Sequence, residues 1–306
     1  MTSATRDFGV YGLRVRSDID LPGWPALEVD NPPDVFIRQE PCSTPDLEGA
    51  PYSARSVVEA GELKLVVLGV GSYAASGGTL IRVQPAPRAK AEDLRLYLMG
   101  ALVGAILHQR GVFPLHASCV ALNGLSVAFA GQSGAGKSTL VAALVRRGGA
   151  FVTDDISVMA PSSGNGIGVL PGAARVKLDE IGLGRLSGSV FDLEPAGGTR
   201  GKYHLPMDSS AEWMTPVPLG RIYLLTDGEG PPRLEQLTGL HAVSALVDET
   251  YFLGYAVNLG LTSQVFRLAA TVARILPVSR LIRPRGLEHL QTVVELIERD
   301  GNFPQG

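Results

Sequence analysis

Residues 131–138 read GQSGAGKS: two glycines separated by four residues, followed by Lys137 and Ser138. Glycines at these places let a tight loop turn its backbone N–H groups toward phosphate oxygens, and the N-terminus of a following helix adds partial positive charge. Gly131, Gln132, Ser133, Gly134, Ala135, Gly136, Lys137, Ser138 and Thr139 are therefore the candidate nucleotide-binding set, with Lys137 reaching the outer phosphates and Ser138 binding Mg²⁺. Seventeen positions after Lys137 come Asp154 and Asp155. One carboxylate there can hold the metal while the other accepts the proton of an attacking hydroxyl. The expectation is Asp154 as base and Asp155 as metal ligand, with the exchanged assignment open.

Further cations are candidates because positive charge near a transferring phosphoryl group stabilises its transition state. Only five lysines occur in the chain, and Lys177 and Lys202 fall in segments that also carry Arg175 and His204. Arg175 and Lys202 are the stronger candidates of the four, against the plain alternative of a solvated face. Asp179 and Glu180 are weaker candidates for an extra metal ligand. His116, fifteen residues before Gly131, reads on its own as a satisfied core histidine.

The elements that must position these groups are legible nearby. An apolar run over 125–130 predicts the strand entering the loop, and Leu140, Ala143 and Leu144 continue a helical stripe until Arg146, Arg147 and Gly148 end it. Asn123-Gly124 between the runs 117–122 and 125–130 predicts a tight hairpin, so the strand before the loop should be the antiparallel partner of the strand entering it. Residues 150–153 read as a strand, and 156–159 as its continuation beyond the two aspartates. Strands are also expected over 221–225, 233–237 and 278–282, and helices over 240–248, 264–276 and 287–298. The domain over 89–306 should thus be α/β with a mixed sheet around a phosphate-loop core, opening on a helix over 89–110. Before it, residues 1–88 read as a small β-rich accessory or substrate-recognition domain, with short strands over 9–15, 35–38, 63–70 and 79–83.

Composition excludes several classes. A formal charge of −3 without a Lys/Arg run argues against nucleic acid. The run from Leu98 to Leu107 is about half of what a membrane span needs. No basic segment followed by an apolar core marks a signal peptide, and Cys42 and Cys119 lack metal-like spacing, so a reduced, cytoplasmic protein without a membrane partner is expected. Apolar C-terminal helices leave a homo-oligomer open.

The ordered set of His116, the turn at Gly124, the phosphate loop, RRGG and TDD resembles the HPr kinase/phosphorylase family, serine kinases whose catalytic domain is related to phosphoenolpyruvate carboxykinase. The resemblance is specific over about 45 residues. It implies a mixed α/β nucleotide-binding core, ATP with Mg²⁺, a catalytic or aspartate-orienting role for His116, and transfer to a serine hydroxyl. Residues 1–87 do not resemble the N-terminal domain of those enzymes, and their downstream glycine-rich segment is not recognisable, which departs from HPr as the substrate and from a reverse phosphorylase reaction. The layout is similar to stand-alone relatives that phosphorylate a serine of ribosomally made precursor peptides, including lasso-peptide precursors. A small protein or peptide acceptor is expected; the β-rich module favours a peptide mildly, because an extended peptide can add to a sheet edge. Two other readings stand beside it: a kinase of a small hydroxy amino acid or sugar, and a nucleotide-gated binding protein or ATPase without phosphoryl transfer. An ABC transporter is disfavoured because Leu186-Ser-Gly-Ser lacks the rest of its signature, and a GTPase because no guanine-reading motif occurs.

Overall fold

A computed structural model describes residues 5–28, 31–43, 45, 54–186, 193–198, 201–209 and 211–301. It is a mixed α/β structure built on mixed sheets.

Among the described residues, the N-terminal part forms an eight-stranded sheet in the order Ala26–Leu27, Arg6–Val10, Leu13–Ser17, Val35–Gln39, Leu80–Pro85, Gly71–Ser76, Glu62–Val67, Ala54–Glu59. Val35–Gln39 lies parallel to both of its neighbours, and the remaining pairs are antiparallel. The single strand expected over 9–15 is instead a hairpin. Tyr11 (φ 52°) and Gly12 (φ 72°) take the left-handed conformations that a two-residue turn between twisted antiparallel strands requires.

The helical run expected over 89–110 is found as Ala91–Tyr97, a π-helical turn Leu98–Leu102, and Val103–Gln109. Leu94, Leu98, Leu102 and Ile106 are buried in one cluster with Phe8, Val10, Tyr73 and Ile81 of the N-terminal sheet. Ile156, Val158, Tyr251 and Tyr255 join the same cluster, so this helix packs against elements from both parts of the chain. Gly100 and Gly104 leave room for Tyr251: a Cβ at Gly100 would lie 3.2 Å from its hydroxyl, and one at Gly104 would lie 3.0 Å from its ring.

The second sheet runs Ala150–Thr153, Ala117–Leu122, Leu125–Ala130, Val217–Asp227, Gly166–Leu170, Ser157–Ser162, Phe113–Leu115, with Val278–Arg283 and Arg233–Leu237 continuing from Val217–Asp227. Ala117–Leu122 and Leu125–Ala130 pair antiparallel through Asn123 (φ 53°) and Gly124 (φ 81°), the expected hairpin. On its other side the loop-entering strand is parallel to Val217–Asp227. Helices cover both faces. Lys137–Arg146 and the C-terminal helix Leu290–Asp300 bury Leu140, Val141, Leu144, Val293 and Ile297 on one, which at about 1.5–3 kcal/mol per large side chain is a main stabilising layer. Gly239–Asp248 and Thr262–Ile275 cover the other. Arg147 closes the first layer by donating Nε and Nη2 to the Glu298 carboxylate at 2.8 and 2.9 Å.

Residues 156–159 do not continue the strand 150–153. Asp155 has φ 71°, which turns the chain, and Ser157–Ser162 pairs with Gly166–Leu170 and Phe113–Leu115 instead. A separate three-stranded sheet, Arg175–Asp179, Lys202–Pro206, Glu194–Pro195, stands beside the phosphate loop.

Candidate functional site

The loop-entering strand is buried from Ser126 to Ala130, so it ends at a fixed place in the sheet. Gly131 (φ 141°) follows where a Cβ would lie 3.1 Å from the Leu225 carbonyl oxygen, a close approach that favours glycine. Gly136 (φ 88°) caps the helix Lys137–Arg146 in the left-handed conformation, which an L side chain would strain. Lys137 is 6% exposed, and its ammonium donates to the carbonyls of Gly131 at 2.7 Å and Gln132 at 3.2 Å. Burial lowers its pKa, opposed by Asp155, Glu249 and Asp154.

The two aspartates have different surroundings. Asp154 Oδ1 accepts the Ser118 hydroxyl at 2.6 Å and the Ser138 hydroxyl at 2.8 Å, and Oδ2 accepts the Lys177 N–H at 2.8 Å. Burial, then the charge of Asp155, raises its pKa against those hydrogen bonds. Asp155, on the far side of the turn, lies 3.3 Å from His116 Nε2 and 3.5 Å from Lys177 Nζ. Its side chain is 46% exposed. Burial would raise its pKa, but the His116 hydrogen bond and the charges of Lys177, His116 and Lys137 outweigh it and hold the carboxyl well below the usual range.

His116 is held from outside the loop. Its N–H donates to the Glu249 carbonyl at 2.8 Å and its ring meets Tyr251 edge to face at 5.9 Å, while the Glu249 carboxylate accepts the Gly131 N–H at 3.0 Å. Burial raises the pKa of Glu249, opposed by the Gly131 hydrogen bond and by Lys137.

One pocket is lined by His116, Ser133, Gly134, Gly136, Lys137, Ser138, Thr139, Asp155, Lys177 and Lys202. Arg175 and His204 line an adjoining pocket, which Asp154, Asp155 and Lys177 also border. Asp179 reaches the first pocket, and its Oδ1 accepts the Gly182 N–H at 2.7 Å inside the first turn of the helix Glu180–Leu186. Glu180 accepts the Tyr203 hydroxyl at 3.4 Å. The Ala135 carbonyl accepts a hydrogen bond from Arg283.

Sequence reasoning missed Ser118, Glu249 and Tyr251. Ser118 had a signal: it stands two residues after His116 in extended chain, where alternate side chains share a face. Glu249 and Tyr251 had none, since they arrive through the pairing of 249–251 with 114–116.

The donor set fits a magnesium nucleotide: loop N–H groups, one ammonium, one hydroxyl and one partly buried carboxylate. Among the described residues no three His, Cys, Asp or Glu side chains cluster as metal ligands. Mg²⁺ is commonly held by one or two protein oxygens together with substrate phosphates and water. No helix among the described residues is long and apolar enough to cross a membrane.

No family model matches the chain, and no curated protein matches it. The chain is similar to the solved HPr(Ser) kinase/phosphatase from Coxiella burnetii, at 13% identity over 62% of this chain and 97% of that chain, with a TM-score of 0.32. A likeness at that score carries no argument about function.

Proposed function

We propose that the chain is an ATP- and Mg²⁺-dependent kinase that transfers the γ-phosphoryl group to a serine or threonine hydroxyl of a small protein or peptide. The observation that carries this reading is the division of labour between the paired aspartates. Asp154 has both oxygens engaged and is bonded to the phosphate-loop hydroxyl, whereas Asp155 faces the pocket beside His116 and Lys177.

The loop amides and Lys137 would bind the phosphates, and Ser138 and Asp154 would hold Mg²⁺, which would supply charge neutralisation there. Asp155 orients the acceptor hydroxyl and takes its proton. This exchanges the two roles expected from the sequence. A carboxylate held well below its usual pKa is a weak base, but phosphoryl transfer depends mainly on positioning and charge, so an ionised acceptor of the hydroxyl hydrogen bond serves. His116 positions Asp155 and can share the proton; Lys177 and Lys202, lining the same pocket, stabilise transferred charge.

The test is incubation with ATP, Mg²⁺ and serine-containing peptides, followed by mass spectrometry. Phosphoryl adducts on a hydroxyl that vanish in Asp155→Asn are expected; ATP binding with no adduct on any acceptor would overturn the reading.

A further inference from the structure

The pocket adjoining the phosphate loop lies between the helical run 91–109, the three-stranded sheet and Trp24 of the N-terminal part, and Asp155 borders it from the reaction side. Its far end holds two arginines that share one carboxylate. Arg95 donates to Glu194 at 2.7 Å and is further engaged by Asp20, through its carbonyl at 3.0 Å and its carboxylate at 3.7 Å.

Arg175 is less well served. Its side chain is 12% exposed, its contact to Glu194 is 3.4 Å long, and its other terminal nitrogen meets the Met99 sulfur, a weak acceptor, at 3.1 Å. A guanidinium carries five donors in a fork that matches a carboxylate, and burying one with so few strong acceptors is costly. His204 adds an independent observation: its Nδ1 is buried with no hydrogen-bond partner among the described residues. Burial together with the charges of Arg175 and Lys177 pushes that imidazole down to about 3, so it is neutral near pH 7. Two under-partnered polar groups thus border one pocket. Arg175 and Lys177 stand two apart on one strand, so their side chains share a face about 7 Å apart, and Lys177 reaches Asp155.

We propose that this pocket binds the phosphate acceptor, and that the acceptor carries, a few bonds from its hydroxyl, a carboxylate received by Arg175 with His204 beside it. A free hydroxy amino acid and a peptide ending in a hydroxylated residue share that chemistry. The fate of the hydroxyl rests on the kinase reading; the capture of the carboxylate does not.

The test is calorimetric titration of the full chain, saturated with a non-hydrolysable ATP analogue and Mg²⁺, using four probes: L-serine, L-serine amide, and a short peptide ending in serine as its free acid and as its amide. At least one acid form is expected to bind about tenfold more tightly than its amide, a size ordinary for a charge-assisted bidentate contact. Which acid binds identifies the source. Arg175→Ala should bring the ratio to about one, while Glu194→Gln, which removes the competing carboxylate, should raise it about threefold. A gain on Glu194→Gln separates ligand recognition from a merely structural role. Equal binding of acid and amide, no binding of either acid, or a ratio that survives Arg175→Ala would overturn the assignment. Acid-selective binding with no transfer from ATP would leave the pocket assignment standing and remove the kinase reading; equal transfer to acid and amide would do the reverse.

Discussion

The Ser138 hydroxyl donates to Asp154 Oδ1 at 2.8 Å, linking the phosphate loop to the turn that follows the strand Ala150–Thr153. Asp154→Asn replaces an acceptor-only group by one that also presents donors, so it should disturb both serines and weaken the metal site. Phosphoryl transfer should fall at least about a hundredfold, with a raised Mg²⁺ requirement, as read by initial rates over a Mg²⁺ titration. An unchanged Mg²⁺ dependence would remove Asp154 from that role.

Asp155 and His116 should separate kinetically from the loop residues. Asp155→Asn should cut the transfer rate by about 10²–10⁴ while the Kd for ATP with Mg²⁺ changes little. His116→Gln should lose less, because it acts through Asp155. Lys137→Ala should instead lose nucleotide affinity. Calorimetry with ADP beside initial-rate measurements distinguishes the three.

Gly172 tests the support beneath the aspartates. A Cβ there would lie 2.1 Å from Thr153 Oγ1, which donates to the Ile156 carbonyl at 2.6 Å across the turn that carries Asp154 and Asp155. Gly172→Ala should therefore lower stability by about 1–3 kcal/mol and reduce transfer as well. A denaturant melt and a rate assay on the same preparation check it; full activity would mean that the turn tolerates the shift.

Much of this site was legible because it is local. The phosphate loop, its hairpin and the aspartate pair lie within 117–155, where glycine placement and alternation dictate the backbone. The two halves of the aspartate turn were harder to separate, since the left-handed φ of Asp155 and the pairing of 157–162 with other strands leave no mark in the spacing. Arg175 was expected beside the phosphoryl group, and it lies one strand repeat from Lys177 in the adjoining pocket. Glu194, Glu249 and Tyr251 come from distant segments and carry no spacing signal. In the N-terminal part, Gly12 could have announced the hairpin inside 9–15.

The N-terminal sheet should contribute an acid-sensitive stability. Arg16 donates to both Asp7 oxygens at 2.7 and 2.8 Å, and those hydrogen bonds lower the Asp7 pKa against the opposing effect of burial. With the folded value below the unfolded one of about 3.9, the pair stabilises above about pH 4, and that stability is lost as pH falls through the folded value. Asp7→Asn should lower the Tm at pH 7 and converge on the wild-type Tm at low pH. A Tm difference independent of pH would contradict this.

Transfer of the γ-phosphoryl group to a hydroxyl, with Asp155 facing the acceptor, is read most directly by phosphorus NMR of ATP and Mg²⁺ turned over with serine-containing peptides and hydroxy amino acids. A new phosphomonoester resonance growing in step with ADP, and absent with Asp155→Asn, is the expected result. Inorganic phosphate alone, formed equally by wild type and Asp155→Asn, would contradict it.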